Sequence, residues 1–309
     1  MTQDTGSGQG LTVVVTGASG RTGRRVAEAA RAAGMTVRAA SRAQGFDWRD
    51  ASTWARGLRG ADAAFLVYPS DVGAPEAADA VGGLAREAVG LGVRRLVLLS
   101  ARGERQARPA EEALRASGAD WTIVRAAWFS QNFSEGPLVA ELREQGELVF
   151  PAGAVREPFV DVRDIADVVV AAIGAGGRYA GQVLEVSGAR LLTFGEAVAE
   201  IAAATGRELS YRSVPVREYG ERLAAFGVPA EELGFVLDLF GSLLDGRNAH
   251  LSHGVRQVLG REPRDFGEFV REAAAAGTWK QHAAAGKPNA AAGKQDAAAS
   301  KQDAAAGKP

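Results

Sequence analysis

The sequence predicts an α/β protein built on a doubly wound parallel sheet, with a smaller, mostly helical lobe toward its C-terminal end. Three observations carry this. A short β-branched run, Leu11–Thr16, passes straight into Gly17, Gly20 and Gly23 and then into a stretch of helical spacing. Short apolar runs then alternate with helical stretches as far as Val124, the rhythm of parallel strands joined by crossover helices. Beyond Ala126 that rhythm gives way to longer helical segments.

Residues 1–10 read as a flexible arm and residues 11–150 as the main domain. Its first strand, Leu11–Thr16, leads through the glycines to a helix over Arg24–Ala33 closed by Gly34, and Met35–Ala40 is the second strand. Phe46-Asp47-Trp48 reads as the end of a short third strand, followed by a helix over Thr53–Arg59. Ala63–Val67 is a buried strand closed by Tyr68-Pro69, Ala77–Leu91 a helix ended by Gly92, and Arg95–Leu99 a strand running out at Ser100. Ala110–Ala116 is helical and Trp121–Val124 is the next strand.

Residues 151–279 form the smaller lobe on the substrate side, with helical spacing over Phe194–Thr205, Val216–Phe226 and Ala230–Leu244. A late strand at Gln182–Val186, within residues 182–188, is expected to return to the main sheet. The lobe's helices should cover the carboxyl ends of the strands, where open α/β sheets take their ligands. Residues 280–309 are a low-complexity tail that falls into sevens from Ala283 (AAAGKPN, AAAGKQD, AAASKQD, AAAGKP). No large apolar residue offers a coiled-coil seam, and Gly and Pro oppose helix, so the tail reads as solvated, mostly disordered and dispensable.

The run VVVTGASGRTG, Val13–Gly23, carries the chemistry. Glycines between a strand and a helix let the chain turn sharply, let backbone approach a pyrophosphate and let the helix sit tight on the sheet. The phosphates then meet the free N–H groups and positive end of the helix. This is a Rossmann-type dinucleotide site, and its GxxGxxG spacing is similar to that of the extended and atypical short-chain dehydrogenases. An NAD-selective protein places an acid at the end of the second strand to hold the ribose 2′-hydroxyl. Here that place reads Ala40-Ser41-Arg42-Ala43, with no acid before Asp47. An arginine and a hydroxyl suit a 2′-phosphate, and Arg21 in the loop adds a second cation, so NADP(H) is expected over NAD(H). The cofactor-binding set is Gly17, Ser19, Gly20, Arg21, Thr22 and Gly23, with Ser41, Arg42 and Asp47.

Composition excludes other classes. The 309 residues are 46% apolar with a formal net charge of −1, enough for one large domain and a lobe and without a field that would gather nucleic acid or anionic membrane. No run of 18 apolar residues exists, and MTQDTGSGQG lacks the regions of a signal peptide, so the cytoplasm is the expected compartment. With no cysteine there is no disulfide, thiol nucleophile or thiolate metal site. His250, His253 and His282 are the only histidines, and no carboxylate cluster near them completes a ligand set, so no metal is expected. Lysine occurs only at 280, 287, 294, 301 and 308.

Several segments together resemble the NmrA-like family of atypical short-chain dehydrogenases. Beside the glycine loop these are GADAAFLVYPSD (Gly60–Asp71), GVRRLVLLSARG (Gly92–Gly103), SGADWTIVRAAWFSQNF (Ser117–Phe133), EPFVDVRDIADVVVAAI (Glu157–Ile173) and LTFGEAVAEIAAATGR (Leu192–Arg207). The resemblance spans about residues 11–279. It implies an NADP-binding domain plus a small C-terminal lobe with substrate between them, in a family of quinone and dye reductases and of dinucleotide-sensing regulators. Under it, Tyr68 and Pro69 resemble residues lining the cofactor, and Ser100 the substrate-facing hydroxyl at a strand end. Trp128, Phe129, Gln131 and Asn132 resemble the loop closing over the nicotinamide, although the two aromatic residues read equally well as core. Tyr68, Pro69, Ser100 and Trp128 thereby join the cofactor set, and Ser100, Tyr68 and Asn132 are the catalytic candidates. Asp161 and Asp164 resemble the family's aspartates before a helix, and Asp164 reads as its N-cap.

One departure narrows the chemistry. Carbonyl-reducing members of the superfamily carry Tyr-x-x-x-Lys, in which lysine helps tyrosine protonate the nascent alkoxide. The corresponding stretch reads RGERQARPAEEALRAS, and none of Tyr68, Tyr179, Tyr211 and Tyr219 has a lysine four residues on. Protonation is easier when charge spreads over a conjugated system. The leading expectation is therefore NADPH-dependent reduction of a quinone-like or conjugated polycyclic small molecule, in a setting such as natural-product tailoring. The proton would come from water, Ser100 or a tyrosine. Two alternatives stay open: a non-catalytic NADP(H)-binding redox sensor, and a cofactor-assisted redox-neutral step such as epimerisation or dehydration. A homodimer is compatible with all three.

Overall fold

A computed structural model describes residues 10–69 and 71–281. Residues 1–9 of the expected arm, and residues 282–309 of the expected tail with His282, lie outside them. The chain divides into two units, one of residues 1–127, 160–187 and 252–263, the other of residues 128–159, 188–251 and 264–309. The division into segments 11–150 and 151–279 differs from this, because the chain leaves the first unit and returns to it twice.

The first unit is a six-stranded sheet with its helices. β1 (Thr12–Thr16) lies between β2 (Thr36–Ala40) and β3 (Ala63–Leu66), followed outward by β4 (Arg95–Ala101), β5 (Asp120–Ala126) and β8 (Gln182–Val186). Every pairing is parallel, so all strand C-termini share one edge. The order reverses beside β1, and the crevice at such a reversal is where doubly wound sheets take ligands. Val13, Val14 and Val15 of β1 are fully buried, as a strand covered on both faces requires.

Alternate side chains serve alternate faces. Val14, Ala64, Leu66, Leu96, Leu98 and Ile123 pack with Trp54 and Leu58 of α2 (Trp54–Leu58), Val81 and Leu84 of α3 (Ala77–Gly90), and Leu114 of α4 (Arg108–Arg115). α1 (Arg21–Ala32) and α6 (Val162–Gly174) pack together, and α6 also lies against β4 and β5. Helix α1 starts at Arg21, three residues before the predicted start, because Gly23 is already helical while Gly20 is its extended N-cap.

No strand forms at Phe46-Asp47-Trp48. A 3-10 turn at Arg42–Gln44 follows β2, and Phe46 and Trp48 then bury their rings edge to face, centroids 5.8 Å apart. The alternation of aromatic and polar residues marks a packed corner. Its backbone is satisfied locally, since Asp47 N–H donates to Thr53 Oγ1 at 2.9 Å and Asp47 O accepts from Trp54 Nε1 at 2.8 Å. Tyr68 therefore follows the third strand, and Ser100 lies in the fourth.

The second unit has its own core. Its short strands pair as β6 (Glu147–Phe150) with β10 (Ser210–Ser213), parallel, and β7 (Arg156–Glu157) with β9 (Leu192–Thr193), antiparallel. Around them lie α5 (Pro137–Glu144), α7 (Phe194–Thr205), α8 (Val216–Ala225), α9 (Ala230–Leu243) and α11 (Phe266–Ala275), while α10 (Gly254–Leu259) belongs to the first unit. Phe133, Phe150, Phe159, Phe194 and Trp279 are among its most buried side chains. Helix α7 opens with a capping box, Thr193 Oγ1 accepting from Glu196 N at 3.0 Å while Glu196 accepts from Thr193 N at 2.8 Å.

Candidate functional site

The glycine loop joins β1 to α1. Gly17 takes φ 61°, a left-handed turn that costs glycine nothing, and its carbonyl accepts from Gly20 N at 2.9 Å. A Cβ on Gly23 would overlap the Gly17 carbonyl oxygen and stand 2.6 Å from its carbon. Those contacts are backbone, so no side chain can swing aside. At the start of α1, Gly20 provides no side-chain cap and the first turn holds no acid, so the helix does not compensate its own positive end. A loop wound this tightly on an uncapped helix start fits the pyrophosphate of a dinucleotide.

The strand ends around the loop carry the other candidates. Thr16, fully buried, accepts from Val67 N at 2.7 Å, which fixes the exit of β3 against the exit of β1. Beyond β2, Ser41 donates its hydroxyl to the Gln44 side chain, and Arg42 is exposed. A depression of about 310 Å³ beside them includes Ser19, Arg24, Arg31 and Gln44 in its lining. Asp47 organises its own turn, Oδ1 accepting from Arg49 N at 2.9 Å.

Tyr68 is buried at the exit of β3, edge-on to Trp48 at 5.2 Å, while Pro69 is exposed. Burial and the nearby Glu76 carboxylate raise the phenol above its ordinary value. The phenol therefore stays protonated over the ordinary pH range. Ser100, 3% exposed, donates to Glu111 Oε1 at 2.7 Å, so its hydroxyl is engaged inside the protein. Glu111 also receives Arg125 Nε at 2.8 Å and a second guanidinium nitrogen. Burial alone would raise this carboxyl, but the Arg125 and Ser100 hydrogen bonds outweigh it and hold Glu111 below the usual range. The candidate substrate hydroxyl is thus part of a buried ionic network.

Glu104 escaped the sequence reading. It lies just past β4, 3% exposed, beside Asp71 from the loop after β3. Both follow strand C-termini on the glycine-loop edge.

In the second unit, Trp128 joins an aromatic cluster, 5.7 Å from Phe150, 5.4 Å from Phe194 and 6.0 Å from Phe240. Phe129 precedes the 3-10 turn Ser130–Phe133, in which Gln131 is buried and Asn132 half-buried. The N-cap of α6 is Asp161, accepting from Arg163 N at 2.8 Å, rather than Asp164. Asp164 lies one turn inside, fully buried, and binds Arg261 at 2.7 Å. Among the described residues no group of three His, Cys, Asp or Glu side chains is arranged to hold a metal, and no helix is long and apolar enough to cross a membrane.

Comparison with known proteins agrees with this geometry. An NAD(P)H-binding domain family matches residues 17–176, and the NmrA-like family matches residues 108–270. The chain is 29% identical over 279 residues to the uncharacterized oxidoreductase YesF of Bacillus subtilis, covering 86% of this chain and 96% of that one. It is 31% identical over 287 residues to a (4-alkanoyl-5-oxo-2,5-dihydrofuran-3-yl)methyl phosphate reductase of Streptomyces griseus, covering 85% and 98%. In fold it is similar to the triphenylmethane reductase of Citrobacter sp. solved with NADP(H), at TM-score 0.69 and 16% identity over 85% of this chain and 99% of that one. With an NAD(P)H-binding domain at its start and the family's sequence through its second half, this chain belongs to the NmrA-like family.

Proposed function

We propose that this oxidoreductase reduces a conjugated or aromatic small molecule with hydride from NADPH, in preference to NADH. The observation that carries the reading is the missing alkoxide-protonating pair: no Tyr-x-x-x-Lys occurs, and no lysine precedes Lys280. The reading is supported by Ser100, whose hydroxyl is engaged with Glu111, and by Tyr68, whose phenol burial shifts upward. Acceptors whose reduced form is a delocalised anion need the least help with protonation. The S. griseus relative, named for reducing an alkanoyl-substituted dihydrofuranone, supports a conjugated acceptor.

When bound, the cofactor supplies the hydride. The protein's part is to hold it: Gly17, Gly20 and Gly23 admit the pyrophosphate, and Ser41 and Arg42 receive the 2′-phosphate. NADPH oxidation against a panel of quinones, conjugated enones and aliphatic ketones tests the reading. Quinones or enones should turn over and aliphatic ketones should not. Rapid reduction of aliphatic ketones, abolished by changing one tyrosine, would overturn it.

The cofactor preference has its own test. Arg42→Ala should weaken NADPH by about 1–3 kcal/mol, the scale of a charged hydrogen bond, and leave NADH nearly unchanged. Equal losses for both in titration calorimetry would show that Arg42 does not meet the 2′-phosphate.

A further inference from the structure

The reduction proposed above still needs a proton, and the first unit holds an unused buried acid on the ligand edge of its sheet. Glu104 follows β4 and Asp71 follows β3, so parallel strands deliver both carboxyls to the edge that carries the glycine loop. Between them stands Gly73. A Cβ there would overlap Glu104 Oε1, lie 2.8 Å from Gln106 Cβ and 3.1 Å from Asp71 Oδ1. The glycine thus makes room for one carboxyl against the other.

The pair is asymmetric. Asp71 is half-buried, and its Oδ1 accepts from Gly73 N at 2.6 Å. Glu104 is 3% exposed, and its Oε1, like the neighbouring Gln106 Oε1, is a buried oxygen without a hydrogen-bond partner. A charge on Glu104 would be buried against a second charge with no donor to receive it, an arrangement that costs several kcal/mol and is relieved by a proton.

We propose that Glu104 and Asp71 hold one proton between them and deliver it to the acceptor as the acceptor is reduced. This rests on the reductase reading. The acceptor gains a hydride, with its two electrons, from the dihydronicotinamide, and the resulting anion takes a proton from Asp71. The proton Asp71 gives up is the one it draws from Glu104, so its transfer leaves two carboxylates, and water restores the shared proton. Asp71, the more exposed member, touches the reacting atoms, and Glu104 is the positioning residue behind it. Burial first, then the hydrogen bond and charge of Asp71, then the charge of Glu111 on α4, push Glu104 up to about 9. Glu111 is itself neutralised by Arg125 of β5. The pair therefore keeps its proton at neutral pH.

Infrared spectra of the cofactor-free full chain provide a readout independent of activity. At pH 7 the wild type should show a protonated carboxylic acid that is lost near pH 9 and is missing from Glu104→Gln. Asp71→Asn should retain the acid but let it ionise at lower pH, since the opposing charge is gone. In steady-state reduction of a quinone or enone, the wild-type rate should fall as pH passes about 9. Glu104→Gln should be slower by on the order of a hundredfold, with that limb gone, and Asp71→Asn should be similarly slow.

No protonated carboxyl at neutral pH in the wild type overturns the proposal even if the enzyme reduces quinones. So does a band lost in Glu104→Gln with rate and pH profile unchanged. If none of the quinones, enones or ketones supports NADPH oxidation by the wild type, the reductase reading fails and the donor role falls with it. Should Glu104→Gln not fold, Asp71→Asn decides by the same two measurements.

Discussion

Glu111→Ala is expected to destabilise the protein by about 3–5 kcal/mol, because it strands a buried guanidinium. The Glu111 side chain is 2% exposed and that of Arg125 10%. Arg125 would retain only Glu185, at 3.7 Å on a side chain 39% exposed, and Ser100 would lose its acceptor. Urea unfolding should show a lower midpoint at unchanged slope. Replacing both partners, Glu111→Leu with Arg125→Met, should cost less than Glu111→Ala alone, since most of the loss is the charge left behind. A single-variant cost under about 1 kcal/mol would mean that the pair is solvated and adds little.

The same pair sets a pH dependence. Glu111 lies below its ordinary 4.5 when folded. Its contribution is therefore present above 4.5 and lost as pH falls through the lowered folded value. Glu104 has the opposite sign. Raised to about 9 from 4.5, it favours the folded state fully below 4.5 and progressively less up to about 9. Across that window one bound proton is worth about 1.4 kcal/mol per pH unit. One carboxyl therefore shapes the acid limb of stability and the other the neutral-to-alkaline slope, and the two separate in titrations of the single variants.

What could be read from the sequence was local or periodic. Gly17 and Gly23 mark the loop because their constraints, a left-handed turn and a forbidden Cβ, act within a few residues. Helix α7 was readable for the same reason, with Thr193 and Glu196 three apart in a capping box, and the β8 residues Gln182–Val186 form one short apolar-alternating run. The misreadings came from tertiary packing. Phe46 and Trp48 alternate like a strand but are held in a corner by Tyr68 and by the Trp54 indole. Asp161 and Asp164 both precede an apolar run, and only Arg261, far along the chain, distinguishes the cap from the buried ion pair.

The candidate site divides the same way. The residues proposed to hold the cofactor lie within β1–α1–β2, one contiguous stretch, so local spacing is enough to name them. Its proton chemistry depends on Asp71 meeting Glu104 and on Glu111 meeting Arg125, pairs that different strands bring together. The stretch RGERQARPAEEALRAS showed what was missing from the usual machinery. It also contained Glu104 and Glu111, but nothing in the spacing distinguishes these from solvated helix acids.

Trp279→Ala should cost about 3–5 kcal/mol, the scale of a large aromatic side chain removed from a core. Trp279 is 1% exposed, although it lies outside any helix, four residues after the end of α11. Its indole donates to Phe133 O at 2.7 Å, its carbonyl receives the Arg207 guanidinium, and its ring meets Phe269 edge-on at 6.3 Å. Arg207 reaches on to Arg143 O at 3.0 Å, so one residue ties the segment after α11 to α5 and to the turn holding Gln131 and Asn132. Removing the ring leaves a cavity and an unsatisfied Phe133 carbonyl, and for a chain of this size the melting temperature should fall by on the order of 10 °C. Trp279→Phe, which keeps most of the apolar volume but not the donor, should lose about 1–3 kcal/mol. A chain ended after Gly277 should melt like Trp279→Ala or lower, whereas one ended after Gln281 keeps every contact named. Equal melting temperatures for those two truncations would show that Trp279 does not anchor the second unit.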